Sequence, residues 1–282
     1  MFSELTKTQV VLCVGNHDYL KKDSYYRTFR WNENVHMILD RELSSVDLPE
    51  LDVSVYSFSY HAKEVTEKPY ANRYALRRSK TEILMVHGGD EKHVPVKPDE
   101  ILSLGYDYIA LGHIHKPQIV VPDKMAWSGS LEPTDTNDVG EHGYIAGEIT
   151  DAGVKIEFVP FASRQYIHMA VPVTGEMSGY ELKENLKKII EKKGIQNIYK
   201  IILRGFRNPD VQFDLQALDT YGNVIEIIDD TKPSYNYAKI KEQNENNILG
   251  NLIRELEDYD ENSVEYRAMC EGVRALMDTR RG

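Results

Sequence analysis

The sequence predicts a layered α/β domain over residues 1–164, a small α+β unit over 165–240 and a helical tail over 241–282. Three observations lead there. In the first half, short apolar runs alternate with helical or loop segments, the pattern of a layered α/β domain. Three of those runs end in glycine with histidine: Val10–Val14 before Gly15-Asn16-His17-Asp18, Glu82–Val86 before His87-Gly88-Gly89, and Tyr108–Leu111 before Gly112-His113-Ile114-His115. Past Ala162–Arg164 the pattern changes to a strand, a lysine-rich amphipathic stretch and two further strands.

Taken in order, Val10–Val14 reads as a buried strand emptying into a loop, Ser24–Arg30 as a short helix and Val35–Leu39 as a second strand. Asp52–Tyr60 alternates apolar or aromatic with small polar residues, as a half-buried strand does. Glu82–Val86 and Tyr108–Leu111 are further strands, and Pro98–Leu104 opens with proline and acids, both helix-start signals. Lys116–Asp151 reads as short strands and turns, with Gly143–Ile149 and Val154–Pro160 the clearest strands. Tyr166–Val173 is a strand, Gly179–Lys193 a helix closed by Gly194, and Tyr199–Leu203 and Val224–Ile228 are strands. Asn246–Asp258 and Ser263–Thr279 show helical apolar spacing, through Ile248, Leu249, Leu252, Ile253 and Leu256 and through Met269, Val273, Leu276 and Met277.

Composition narrows the function classes. The chain has 282 residues, 41% hydrophobic and 28% charged, the balance of a folded soluble protein. No apolar run approaches the ~18 residues of a membrane span, and MFSELTKTQVVLC lacks a signal-peptide profile. Two cysteines, Cys13 and Cys270, give no disulfide framework, so a cytoplasmic location is expected. The net charge of −11 argues against a surface that binds nucleic acid throughout, while leaving room for a local basic patch.

The polar residues at the strand ends carry the chemistry. A carboxamide oxygen such as that of Asn16 can coordinate a divalent cation without adding charge, and a neighbouring histidine, His17, can give a proton or hydrogen bond to phosphate. Asp18 is placed to orient that imidazole. On an extended segment His113 and His115 would point to one side and reach a common metal cluster. Each feature alone is weak. Together with His87, their recurrence at successive strand ends outlines a metal site.

The order GNHD, VHG, GHIH resembles that of the calcineurin-like metallophosphoesterase superfamily, and GYDYIALGHIH with WSGSLEPTDTNDVGEHGYIAGEI resembles its SbcD-like branch, the nuclease subunit of bacterial double-strand-break repair. The resemblance covers Val10–Ala162 well and the later unit with less specificity. It implies a metallophosphoesterase sandwich, N-terminally incomplete, with an α+β capping domain and a C-terminal helical tail. It also implies a DNA repair exonuclease that hydrolyses phosphodiester bonds with two divalent metals, manganese being the expected ion. Under it Asn16, His87 and His113 would bind one metal and His115 the other. His17 would contact the scissile phosphate, and Asp18 would hold His17. The implied partners are DNA, a coiled-coil SMC-type ATPase docked on the tail, and a second copy of the chain, with no membrane.

The chain departs from that pattern in one respect. The Asp-x-His and the Gly-Asp whose aspartate bridges the metals are absent, and Gly89-Asp90 does not substitute in sequence position. The expectation is an N-terminally shortened form with at most one metal and impaired turnover. A non-catalytic DNA-binding or assembly subunit, and a small-nucleotide phosphodiesterase, are the other readings. His93 reads as a solvated loop residue, and His36, His61, His142 and His168 as structural or exposed. Arg73, Arg77, Arg78 and Lys80 form one basic cluster, and Lys183, Lys187, Lys188, Lys192, Lys193, Arg204 and Arg207 another. Phosphate-backbone contact and a solvated face are both open for them, with Arg73, Arg77, Arg78, Lys187 and Lys188 the named DNA-binding candidates.

Overall fold

The apolar runs of the first half do become strands, and their C-terminal ends meet at one edge. In the computed structural model, which describes residues 2–5, 7–260 and 263–279, the first elements are β1 (Val10–Cys13), α1 (Tyr25–Thr28), β2 (Val35–Ile38), β3 (Ser44–Leu48), β4 (Val53–Ser57) and β5 (Thr81–His87). They are followed by α2 (Pro98–Leu102), β6 (Tyr108–Gly112), β7 (Gln118–Val121), β8 (Met125–Trp127), β9 (Gly143–Thr150) and β10 (Gly153–Pro160). The rest of the chain forms β11 (Tyr166–Val173), α3 (Gly179–Lys193), β12 (Ile198–Arg207), β13 (Val224–Pro233), α4 (Tyr237–Gln243), α5 (Ile248–Leu256) and α6 (Val264–Thr279). The chain divides into two compact units, Met1–Tyr166 and Ile167–Gly282. Residues 261, 262 and 280–282 of the expected tail lie outside the described residues.

The first unit is a mixed α/β sandwich. Its main sheet has the order β3-β4-β5-β6-β8-β7. The inner strands β4, β5, β6 and β8 are parallel, and the flanking pairs β3/β4 and β7/β8 are antiparallel. Side chains alternate across β5. Leu84 and Val86 join a core with Tyr56, Phe58, Ile101, Ile109 and Leu111, while Ile83 and Met85 pack on the opposite face with Val11, Val53 and Val55. The second face is covered by β1, paired in parallel with β2, and by the β9–β10 hairpin, whose Ile145, Ile149, Val154 and Ile156 share a pocket with Ile83, Tyr108 and Ala110. Apolar packing on both faces makes the central strands near-continuous hydrophobic runs, which is why they were readable in sequence.

The second unit has its own cores. Helix α3 starts with a Ser178–Glu181 capping box and buries Leu182, Leu186 and Ile190 at four-residue spacing. They pack on Tyr199, Ile201 and Leu203, the alternating buried residues of β12 in a β11-β12-β13 sheet. Helices α4, α5 and α6 close a second core of Tyr235, Ile240, Leu249, Ile253, Met269 and Val273. Leu252, Leu256, Leu276 and Met277, all on the expected stripe, are partly buried against it. Among the described residues no helix is long and apolar enough to cross a membrane.

Candidate metal centre

Three loops deliver the site, and each starts from the C-terminal end of a strand. The loop after β1 is fastened to the end of β4: the Tyr60 amide donates to the Val14 carbonyl at 3.0 Å, and the Val14 amide to Ser59 Oγ at 2.9 Å. Gly15 then lies flat against the His87 ring, where a Cβ would meet imidazole atoms at 2.7 to 3.0 Å. That contact admits only glycine without displacement of the ring. Buried Asn16 follows, with its Oδ1 2.8 Å from His87 Nε2. The Tyr60 ring meets the His87 imidazole edge-on at 5.5 Å. Burial, and then the neighbouring His113, push the His87 pKa down to about 4, so the imidazole is neutral at pH 7 with a lone pair to offer.

The loop after β5 turns sharply because Gly88 packs where a Cβ would strike the Val94 carbonyl at 2.5 Å. The Trp127 indole N–H anchors it by donating to the Gly88 carbonyl at 3.0 Å. Asp90 Oδ1 accepts from the Lys92 amide at 2.8 Å and the His93 amide at 3.0 Å, which closes the turn. His93 Nδ1 lies 2.9 Å from both Asp90 oxygens, and Asp90 Oδ2 lies 2.8 Å from His113 Nε2. Burial alone would raise the Asp90 pKa. Hydrogen bonds from His113, His93 and the Lys92 amide outweigh it and hold the carboxyl well below the usual range.

His113 departs from the extended geometry assumed for Gly112–His115. Strand β6 ends at Gly112, and His113 takes a φ of 86°, a left-handed conformation that a non-glycine residue holds only where its surroundings impose it. His113 and His115 therefore have different partners. His113 meets Asp90, with its ring 5.2 Å from that of His87 and 4.6 Å from that of His93. His115 Nδ1 lies 2.8 Å from Thr134 Oγ1 and 3.1 Å from Asp138 Oδ2.

The structure thus brings together Asn16, His87 and His113 and sends His115 to a separate acidic contact. His17 is exposed and makes no hydrogen bond among the described residues, and its charge is one of those that lower the His87 pKa. Both Asp18 oxygens are engaged elsewhere, Oδ1 by the Gly15 amide at 3.0 Å and Oδ2 by the Tyr26 hydroxyl at 2.6 Å, so Asp18 fastens the loop rather than His17. His93 is not a solvated residue. Its side chain is only 17% exposed, held against Asp90 and the His113 ring. The sequence reading sets both aside, Asp90 because it follows the VHG strand and His93 as a solvated loop residue; the signal for their contact was the tight HGGDEKH turn directly after a strand that already delivers a histidine. His142, His36 and His61 have structural partners in Ser130, Gln9 and the Leu39 carbonyl.

The basic candidates fall elsewhere. Arg77 and Arg78 lie beside Glu82, at the N-terminal end of the strand whose other end carries His87, about 16 Å away along the strand. Arg77 grips Asp107 at 3.0 and 3.1 Å and the Gly105 carbonyl at 2.7 Å. Arg78 lies over the Tyr56 ring and pairs with Asp47 at 3.4 Å. Arg73 faces Glu42 at 4.0 Å. Lys187 and Lys188 sit on α3, the latter fully on its exposed side. A basic and aromatic stretch that the sequence reading passed over follows the Asn16 loop. It runs from Tyr19 to Trp31 and carries Lys21, Lys22, Arg27 and Arg30, none in an ion pair among the described residues, with Tyr25 87% and Phe29 61% exposed.

No family model matches the chain. Among curated proteins it is 29% identical over 210 residues to the uncharacterised metallophosphoesterase YhaO of Bacillus subtilis strain 168. The aligned part covers 70% of this chain and 51% of that protein, so the chain spans about half the length of the relative it matches. The chain is similar to a metallophosphoesterase. The donor set fits that similarity, because two imidazoles, one of them held neutral, and a carboxamide oxygen converge from three loops on one edge of the sheet, a combination suited to a borderline divalent cation.

Proposed function

We propose that the chain is a metal-dependent phosphodiesterase of the calcineurin-like kind, and that it serves as the nuclease subunit of an SbcD-like DNA repair complex. The observation that carries the hydrolase reading is the convergence of Asn16, His87 and His113 from three separate strand ends, with His87 neutral at pH 7. These residues would hold a divalent ion, with manganese the expected one. When bound, such an ion polarises a phosphoryl oxygen and lowers the pKa of water. His17, exposed beside the buried Asn16 and uncommitted among the described residues, is the group that can give a hydrogen bond or proton to the phosphate or its leaving oxygen.

Two features favour DNA over a small nucleotide. Tyr25 and Phe29 offer exposed rings for stacking next to the cations of the same segment, which is tied to the Asn16 loop by Tyr26 and Asp18. Helix α3 buries one face and turns lysines outward. The coiled-coil ATPase partner would dock on the helical tail, where Ile248 is 71% and Val264 70% exposed. The test is manganese-dependent cleavage of a single-stranded oligonucleotide, compared with bis(p-nitrophenyl) phosphate. Cleavage of both substrates is the expected outcome. It should vanish in H87A and H113A, and weaken for the oligonucleotide alone in Y25A/F29A. Oligonucleotide binding without any cleavage would favour the assembly-subunit reading, and cleavage confined to small esters the small-nucleotide reading.

A further inference from the structure

We propose that Asp90 is an anionic ligand of the metal centre, acting through Oδ2 beside His113, and that His93 positions it. Resting on the metal-dependent reading above, this adds a carboxylate that the expected ligand set lacks. A carboxylate among neutral donors offsets part of a dication's charge, which is otherwise costly to hold in a partly buried site. The two oxygens of Asp90 have different tasks. Oδ1 closes the turn by accepting from the Lys92 and His93 amides, a role a carboxamide oxygen would fill equally well. Oδ2 receives no backbone donor among the described residues and points to His113 Nε2 at 2.8 Å, the nitrogen whose lone pair a metal would take.

One donor atom from each of Asp90, His93 and His113 lies within 4.8 Å of the others. His93 Nδ1, at 2.9 Å from both carboxylate oxygens, pins the carboxylate orientation, as an outer-shell partner does in metal sites. The left-handed φ of 86° at His113 is what turns its ring toward Asp90 instead of along the strand. Imidazole beside a carboxylate suits borderline ions such as cobalt or zinc better than magnesium.

The test uses the full chain, stripped with chelator and titrated with cobalt(II) by visible absorption, and with manganese(II) by calorimetry. The wild type should bind one equivalent. D90N keeps the oxygen that closes the turn and removes only the anion, so its far-UV circular dichroism should match the wild type while its affinity falls at least tenfold. H93Q should weaken binding less, and H115A should leave it unchanged. Should D90N not fold, D90E, which keeps the charge on a longer arm, should shift the cobalt absorption band. Wild-type affinity in D90N, or an unshifted band in D90E, would overturn the assignment of Asp90 while leaving the centre standing. A wild-type chain that takes up no cobalt would overturn the metal-dependent reading as well.

Discussion

The two ends of β5 carry polar groups of similar kind to opposite effect. At the N-terminal end Glu82 is fully buried, and its carboxylate accepts from the Tyr56 hydroxyl at 2.9 Å and from the Arg77 and Arg78 amides at 2.8 Å. Its own amide donates to Asp107, which Arg77 also grips. The network closes on itself. At the C-terminal end Asn16 meets His87 and Asp90 meets His113, each at 2.8 Å, but His113 is held in a left-handed conformation and His87 is kept from charging. A closed buried network fixes structure, whereas strain and shifted pKa values persist where function requires them.

The largest effect should come from opening the closed end. E82A removes one partner from a buried, charged network and leaves Tyr56 and two amides without an acceptor, a loss of about 3–5 kcal/mol. H113A, at the open end, should cost no more than about 1 kcal/mol while removing metal binding. Urea denaturation of the two metal-free variants measures the contrast. Equal losses would mean that the histidine end is also a structural network.

A smaller effect should separate the ends by pH. The folded His87 pKa of about 4 lies below the unfolded value of 6.5, so the native state binds fewer protons between them. Stability from this group is therefore complete above pH 6.5, falls as pH drops toward 4, and amounts to at most about 3 kcal/mol at 1.36 kcal/mol per unit. H87N should flatten the pH dependence of the thermal midpoint in that window. A slope unchanged in H87N would place the titration in another group.

What the sequence revealed follows from where physics acts locally. Buried parallel strands are apolar runs, so β1, β4, β5 and β6 and the residues at their ends were legible, as was α3 with its cap and closing glycine. Strand β3, SSVDL, has too few apolar residues to register, and β7 and β8 fall in the stretch that reads only as short strands and turns, without individual bounds. Helix α4 spans seven residues with a single buried side chain. Asp90 escaped because its role depends on a turn packed against Val94 and on a ring delivered 23 residues later. Arg77 and Arg78 looked like a phosphate patch because sequence lists charges without saying at which end of a sheet they sit.

The smallest expected effect sharpens that last point. Removing one cation that touches a phosphate should reduce the log–log salt dependence of DNA binding by roughly one unit. R77E/R78E should leave the slope unchanged, since Arg77 is committed to Asp107 and Gly105 and Arg78 to Tyr56 and Asp47, at the strand end remote from His87. Those substitutions should instead lower stability, because Arg77 and Arg78 also frame the buried Glu82. Among the described residues Lys187 and Lys188 have no ion-pair partner, and α3 needs neither for its core, so K187E/K188E should reduce the slope by up to about two units with the fold intact. Reduced slopes in both variants would return the arginine cluster to the DNA-binding surface; reduced slopes in neither would leave the Tyr19–Trp31 segment as the source of the affinity.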